Sequence, residues 1–249
     1  MKTGLVSVTF RQLSCAEIIR LAQAAELDGI EWGGDIHVPH GDTARAKAIR
    51  QSMREASLAT ACYGSYYRLT DKERANGVQE QVLETAAALG APLIRVWAGT
   101  KSPYRATAAD WEEIARNAEQ LAQQAKQLGI GAAFEYHGGT LTETSAGAEK
   151  LLSLCPGMRT LWQPPVGWSK EECLASIRAV RPRIANLHVF SWQLHERLPL
   201  ADKQREWLSY LQAAGEAAEY ALLEFVQGDS PAQLAEDARY LHEMLRCMT

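Results

Sequence analysis

Three ionisable residues stand inside apolar stretches that lie far apart along the sequence. They are the central residues of Phe134-Glu135-Tyr136, Leu187-His188-Val189 and Leu223-Glu224-Phe225. A charge buried alone costs several kcal/mol unless it is paired, hydrogen-bonded or bound to a metal ion. If the fold brings these two carboxylates and the imidazole together, they could bind one divalent cation. The amide oxygen of Gln163 could be a fourth ligand. Oxygen-rich ligation with a single nitrogen suits Mn2+ or Mg2+, with Co2+ or Zn2+ as alternatives.

Each of these residues also has a purely structural interpretation. Glu135 would form a buried ion pair with Arg95 or Lys101, and His188 would be a hydrogen-bonded core histidine. For any one residue alone this structural interpretation is favoured. Three such residues at the ends of different strands favour a shared site, which requires a fold that brings strand ends together.

The hydrophobic pattern predicts short strands that alternate with amphipathic helices. The eight predicted strands are Gly4–Thr9, Gly29–Trp32, Ala59–Tyr63, Leu93–Ala98, Gly131–Tyr136, Arg159–Gln163, Ile184–Phe190 and Tyr220–Val226. The clearest predicted helices are Ala16–Ala25, Thr43–Ser57, Val78–Leu89, Ala108–Leu128 and Lys170–Val180.

The residues at the predicted helix ends support this assignment. Gly29 and Gly129 follow helical runs, where a left-handed cap favours glycine, and Gly90 precedes a proline at 92. Ser230-Pro231 predicts the start of the last helix, with a capping side chain and a proline at the first helical position.

Strand–helix alternation implies parallel strands joined by right-handed crossovers. Eight repeats in 249 residues predict an α/β protein with one (β/α)8 barrel, a single domain over residues 1–249. A doubly wound open sheet is the alternative. It usually has fewer strands and a glycine-rich nucleotide loop after the first, whereas the segment from Phe10 to Cys15 has no glycine.

Composition excludes several classes of function. The net charge of -4 argues against a nucleic-acid partner, and five scattered cysteines argue against a disulfide framework or an all-cysteine zinc site. No apolar run reaches the roughly 18 residues of a membrane helix, and the first residues are too weakly apolar for a signal peptide. The expectation is a cytoplasmic protein with a small-molecule substrate and no membrane partner. Formation of a homo-oligomer is left as an open possibility.

In a barrel of this type the active site lies at the carboxyl ends of the strands. His37 follows the second predicted strand and is a candidate substrate contact. Trp97 ends the fourth strand, where an aromatic face suits a sugar, although ordinary barrel packing explains it equally well. Arg95 shares the strand face of Trp97 and is expected to partner a ligand carboxylate.

The order and spacing of these motifs resemble the xylose isomerase-like barrel superfamily, the sugar isomerase and epimerase group. The motifs are Gly29-Ile30-Glu31-Trp32, Glu135-Tyr136-His137-Gly138-Gly139-Thr140, Leu187-His188-Val189 and Leu223-Glu224-Phe225. Members of this group typically hold one divalent metal with Glu, Asp, His and Glu from strands five to eight. The resemblance therefore implies Glu135, His188 and Glu224 as metal ligands.

At the strand-six position this sequence departs from the family pattern. Gln163 stands where an Asp is usual; it offers a carbonyl oxygen but no charge, which predicts a weaker metal site. In the ketose 3-epimerases of this group the two metal-bound glutamates also move protons through an enediolate. The resemblance thus implies Glu135 and Glu224 as catalytic residues acting on a small ketose, polyol or related hydroxy-ketone.

Three other functions stay open at this point. The segment from Glu135 to Thr144 is similar to that of 3-dehydroshikimate and inosose dehydratases, in which His137 would contact substrate or the leaving hydroxyl. Gln163 is compatible with a catalytically silent, ligand-binding barrel. Some barrel relatives are abasic-site endonucleases with several zinc ions. A chain with only six histidines and a net charge of -4 argues against that function.

Overall fold

Eight parallel strands close into a barrel in the computed structural model, which describes residues 1–193 and 196–248. The barrel strands are β1 (Lys2–Val6), β2 (Gly29–Gly33), β3 (Ala59–Gly64), β4 (Leu93–Val96), β5 (Gly131–Glu135), β6 (Arg159–Trp162), β7 (Ile184–Val189) and β10 (Tyr220–Leu223). Around the ring the order is β1-β10-β7-β6-β5-β4-β3-β2. The predicted (β/α)8 barrel is confirmed.

Nine α-helices occur within the described residues, and those that follow barrel strands form the crossovers. They are α1 (Cys15–Ala24), α2 (Thr43–Glu55), α3 (Asp71–Ala75), α4 (Val78–Leu89), α5 (Ala108–Gln127), α6 (Ser145–Leu154), α7 (Lys170–Val180), α8 (Gln204–Ala214) and α9 (Pro231–Arg246). Helix α9 begins as predicted, with the Ser230 side chain accepting from the Gln233 amide.

The glycine predictions are confirmed at two positions and wrong at one. Gly90 and Gly129 take left-handed φ angles of 72° after α4 and α5. Gly29 is instead inside β2, and Glu26 adopts the left-handed turn after α1 with φ 55°. At position 29 a Cβ would lie 2.7 Å from the Ala59 carbonyl oxygen, so close strand packing requires the glycine.

One small element lies outside the predicted pattern. Strands β8 (Trp192–Gln193) and β9 (Glu196–Arg197) pair antiparallel beside the barrel. Two-residue strands carry no periodicity in the sequence, so the hydrophobic pattern cannot reveal them.

The alternation of side chains along the strands separates the barrel interior from the core under the helices. Leu93, Ala133 and Leu161 belong to a small buried cluster that is distinct from the main core. Arg95 and Glu135 follow two of these residues at a spacing of two, so they point to the same interior side. The barrel thus directs polar side chains to its own axis, near the carboxyl end.

Candidate active site

A buried chain of opposite charges crosses the upper end of the barrel. The Arg95 Nε lies 2.7 Å from the Glu31 Oε1, and the Arg95 Nη1 also donates to the Glu135 Oε2. All three side chains are at most 4% exposed. Burial would lower the pKa of Arg95, but the charges of Glu135 and Glu31 outweigh it, so the guanidinium stays protonated.

Local packing fixes the position of this guanidinium. A Cβ at Gly64 would lie 2.4 Å from the Arg95 Nη2, so the absent side chain at the end of β3 makes room for the charge. The guanidinium carbon also lies 4.8 Å from the centre of the Tyr66 ring. Tyr66 has a φ of 59°, which is unfavourable for a bulky residue and directs the chain around Arg95.

His188 joins this network from β7. Its Nε2 lies 3.1 Å from the Glu31 Oε2, while its Nδ1 lies 3.4 Å from the Glu224 Oε2 and 3.7 Å from the Glu135 Oε1. Burial would lower the pKa of His188, but the negative charges of Glu31 and Glu224 raise it to about 10.

The three glutamates differ in their electrostatic surroundings. Burial would raise the pKa of Glu31 and of Glu135, but His188 and Arg95 outweigh it and lower both. For Glu224, burial prevails over the charge of His188 and raises the pKa to about 7. Near neutral pH, two ionised carboxylates therefore balance the two cations Arg95 and His188, while Glu224 holds its proton more readily than an exposed carboxyl group does.

Gln163, just beyond β6, also faces Glu135. Its Nε2 lies 3.2 Å from the Glu135 Oε1 and 2.5 Å from the Tyr136 carbonyl oxygen. The amide therefore presents its donor to these two acceptors, and its buried Oε1 has no hydrogen-bond partner.

The atoms left without partners are of types that bind a divalent cation. Besides the Gln163 Oε1, the buried His188 Nδ1 and Glu224 Oε2 have no hydrogen-bond partner. Within residues 1–193 and 196–248, however, no group of three or more His, Cys, Asp or Glu side chains is arranged as a preformed metal site. The ligand set Glu135, Gln163, His188 and Glu224 stays a prediction.

Two of the candidate substrate contacts lie together above this cluster. The Trp97 Nε1 donates to the Glu135 Oε2 over 2.6 Å, and the Trp97 ring stacks on His137 at a centroid distance of 4.2 Å. The His137 Nδ1 lies 2.7 Å from the Gly138 carbonyl oxygen, which leaves its Nε2 as the atom available for proton exchange.

The third candidate, His37, has a different environment. Its Nδ1 lies 3.0 Å from the Ser7 Oγ, and its ring packs edge-on to Trp32 at 6.0 Å. Burial lowers the pKa of His37, so it is neutral. The described contacts do not connect His37 to the Glu135 cluster, and its role in substrate binding stays a prediction.

The ion pair that the structural interpretation of Glu135 predicts is also present in the molecule. Arg95 forms the expected ion pair, whereas Lys101 pairs with Asp110 at 2.7 Å. Sequence reasoning assigned no role in the site to Glu31, which contacts both Arg95 and His188. Glu31 carries the same signal as the three assigned residues, an ionisable side chain inside an apolar run.

Comparisons of the fold place the chain among known barrels. The structure is similar to a probable 3-DHS dehydratase AsbF from Bacillus anthracis, with 19% identity, a TM-score of 0.82 and coverage of 97% of this chain and 99% of that chain. It is also similar to a D-psicose 3-epimerase solved in the presence of D-fructose, with 16% identity, a TM-score of 0.75 and coverage of 100% and 99%. A third similar structure is a barrel protein from Mycobacterium smegmatis in complex with magnesium, with 13% identity, a TM-score of 0.74 and coverage of 100% and 98%.

The sequence comparisons complement these structural similarities. None of the curated proteins matches the chain significantly. In the part of the chain that the structure describes, no helix combines the length and apolarity needed to cross a membrane. The family model for the xylose isomerase-like TIM barrel matches residues 19–242. With that match and a closed eight-stranded barrel, the chain belongs to the xylose isomerase-like TIM barrel family.

Proposed function

We propose that this protein is a divalent-metal-dependent enzyme that isomerises or epimerises a hydroxy-ketone carbohydrate. The observation that carries the proposal is the convergence of Glu135 and Glu224 on one side of His188. Both carboxylates face the His188 Nδ1, and the Glu224 Oε2 is buried without a hydrogen-bond partner. A buried carboxylate oxygen without a hydrogen-bond partner, beside a second carboxylate, suits the transfer of a proton to and from carbon.

Different residues of the site position the carboxylates and transfer protons. Arg95 and Trp97 hold the Glu135 carboxylate in place, and Gln163 faces its other oxygen. Glu224 has the freer oxygen, so we assign it one proton transfer and Glu135 the transfer on the opposite face. A divalent cation held by Glu135, Gln163, His188 and Glu224, with Mn2+ or Mg2+ preferred, would replace the proton on the ligating nitrogen of His188 and polarise the substrate's carbonyl and hydroxyl oxygens. Trp97 and His137 would contact the substrate at the mouth.

A dehydratase is the second candidate, and the position of His137 favours it. This imidazole stacks on Trp97, which itself donates to Glu135, and its Nε2 is available for proton exchange. After removal of a proton from carbon by a glutamate, His137 would deliver a proton to the departing hydroxyl group. The outcome would be loss of water instead of return of the proton to carbon.

Incubation in deuterium oxide tests both candidates. The protein is freed of metal, reloaded with Mn2+ or Mg2+, and supplied with a panel of ketoses and cyclic hydroxy-ketones, and the products are followed by mass spectrometry. Isomerisation or epimerisation gives products with carbon-bound deuterium and no loss of water. Dehydration gives a product lighter by one water.

A matched pair of variants identifies the responsible group. Glu224→Gln should lower the exchange rate by about 10²–10⁴-fold, the range typical for a lost acid–base group. Glu219→Gln alters the carboxylate at the other end of the same strand, where it pairs with Lys2 on the surface, and should leave the rate unchanged. No exchange and no dehydration with any metal or substrate, despite substrate binding, would instead support a ligand-binding barrel.

A further inference from the structure

A cavity opens beside the charged cluster at the barrel mouth, and the proposed substrate contact His137 is among its lining residues. Its volume is about 540 Å3, within the range of about 300–1,000 Å3 typical of sites for drug-sized ligands. The described lining includes Gln163, which contacts Glu135, and Phe225, which follows Glu224 in the chain, but neither glutamate itself. A ligand that reaches both the cluster and this cavity must therefore have two parts.

Three aromatic rings form one wall of this cavity. Phe190 and Phe225 pack edge to face at 5.6 Å, and Trp192 lies 6.0 Å from the first ring and 5.2 Å from the second. Trp168 and two prolines, Pro164 and Pro165, also line the cavity. Such a wall suits a flat apolar group, because aromatic rings favour offset or edge-on contact with another ring.

The aromatic wall is supported from within the fold. Phe225 has a left-handed φ of 51°, a strained conformation for a bulky residue that aims its ring toward Phe190 and Trp192. The Arg197 guanidinium lies over the Phe225 ring at 5.2 Å and pairs with Asp229. The ring is thus held by contacts with three other side chains, so its surface is organised before any ligand arrives.

Few charged groups line this cavity. Glu143 is a lining residue, but its Oε2 already accepts from the Gly139 amide at 2.5 Å. Three lining residues have buried polar atoms without hydrogen-bond partners, the Tyr136 Oη, the Gln163 Oε1 and the Trp192 Nε1. With the Gln163 Oε1 assigned to the cation, the Trp192 N–H and the Tyr136 hydroxyl remain, which suits a neutral ligand with a linking oxygen or hydroxyl better than a charged one.

We infer that the substrate is a hydroxylated sugar or cyclitol that carries a planar aromatic substituent, which occupies this cavity while the hydroxylated ring lies over Glu135 and Glu224. This inference rests on the proposed function for the position of the hydroxylated part. Its aromatic part rests separately on the cavity and the ring wall. A free ketose would leave the aromatic wall uncovered.

Equilibrium binding separates this inference from the proposed reaction. Phenyl β-D-glucopyranoside and methyl β-D-glucopyranoside differ only in the aromatic group, and titration calorimetry with each requires no turnover. We expect the phenyl glycoside to bind the wild-type protein at least about tenfold more tightly, which corresponds to about 1.4 kcal/mol. Trp192→Ala should abolish this preference, whereas Tyr240→Leu, an aromatic change on α9 outside the cavity, should preserve it.

The possible outcomes distinguish the two proposals. A phenyl preference that persists in Glu224→Gln supports the aromatic subsite even if no exchange reaction is found. Equal affinity for the two glycosides, or a preference that survives Trp192→Ala, overturns the inference even if ketoses are isomerised. Circular dichroism verifies that each variant folds; if Trp192→Ala does not, Phe190→Leu takes its place.

Discussion

The two ends of strand β10 carry glutamates with opposite surroundings. Glu219 stands just before the strand, is 52% exposed and pairs with Lys2 at 3.2 Å. Glu224 stands just after it, is 4% exposed and has a carboxylate oxygen without a hydrogen-bond partner. Five positions of chain thus separate a surface ion pair, which contributes little to stability, from a buried carboxylate whose environment raises its pKa.

The arginines of the two ends repeat this contrast. At the amino end of the barrel, Arg159 and Arg183 donate to main-chain carbonyl oxygens, those of Ile184 and Met158 among them. At the carboxyl end, Arg95 lies between two buried carboxylates. The arginines of the amino end thus bind main-chain acceptors. The carboxyl end keeps buried polar atoms, such as the His188 Nδ1 and the Glu224 Oε2, without hydrogen-bond partners, which is typical of a functional site.

Histidine replacement at each end gives the largest expected difference. His188→Asn should lower the free energy of unfolding by about 3–5 kcal/mol, because it removes one partner of a buried ion cluster. His242→Asn alters a partly exposed imidazole 3.2 Å from the Thr3 hydroxyl and should cost less than about 1 kcal/mol. Urea denaturation measures both. Equal losses would show that the two ends do not differ in electrostatic coupling.

Metal binding should act on one end of the barrel alone. At a concentration 100 times its Kd, Mn2+ should stabilise the metal-free protein by about 2.7 kcal/mol. Thermal unfolding of the protein stripped by chelator and then titrated with Mn2+ measures this shift. Glu224→Gln should reduce it and Glu219→Gln should retain it. A shift that is identical in both variants would place the ion elsewhere.

A methyl group at Gly64 should disturb the charged cluster directly. Gly64→Ala introduces a Cβ 2.4 Å from the Arg95 Nη2 and 2.8 Å from the Glu31 Oε1, which should cost about 2 kcal/mol through overpacking. Gly138→Ala is the control, since its Cβ would meet nothing within 4 Å, and should change stability by less than about 0.5 kcal/mol. Denaturant midpoints compare the two, and an unaffected Gly64→Ala would mean that Arg95 moves freely.

The pH dependence of stability tests the same cluster without any substitution. The pKa of Glu224 is raised from 4.5 to about 7, so its contribution is complete below pH 4.5 and lost as the pH rises through 7. The pKa of His188 is raised from 6.5 to about 10, so its contribution is lost as the pH rises through 10. The metal-free protein should therefore become less stable from about pH 5 to pH 9.

The charge variants sharpen this pH test. Glu224→Gln should flatten the stability curve below pH 7, whereas Glu219→Gln should leave its slope intact. Chemical denaturation at a series of pH values, in the presence of chelator, gives the curve. A wild-type curve that rises with pH over this range would contradict the assignment.

Local patterns were sufficient to predict most of the fold. Helices Val78–Leu89 and Lys170–Val180 have their predicted bounds, and the barrel strands differ from prediction by a few residues at their ends. The first strand ends at Val6, and Ser7–Phe10 forms a 3-10 helix. Helix α3 (Asp71–Ala75) and the β8–β9 pair escaped prediction because they are too short to show a period.

The site was predictable in composition but not in its internal contacts. The spacing of Glu135, His188 and Glu224 at strand ends predicted that they would meet, as the distances around His188 bear out. The sequence did not indicate that Arg95 would also pair with Glu31, because ion pairs across a barrel depend on the three-dimensional register. The orientation of the Gln163 amide likewise depends on the Tyr136 carbonyl oxygen, whose position only the folded chain defines.

The contact between Glu31 and His188 has a consequence for how the chain folds. It joins residues separated by 157 positions, from strands β2 and β7, which are three places apart around the ring across the junction of first and last strands. So distant a contact can form only when the amino- and carboxyl-terminal quarters have met. Its loss should accelerate unfolding far more than it slows refolding, so this ion pair stabilises the closed barrel by slowing its unfolding.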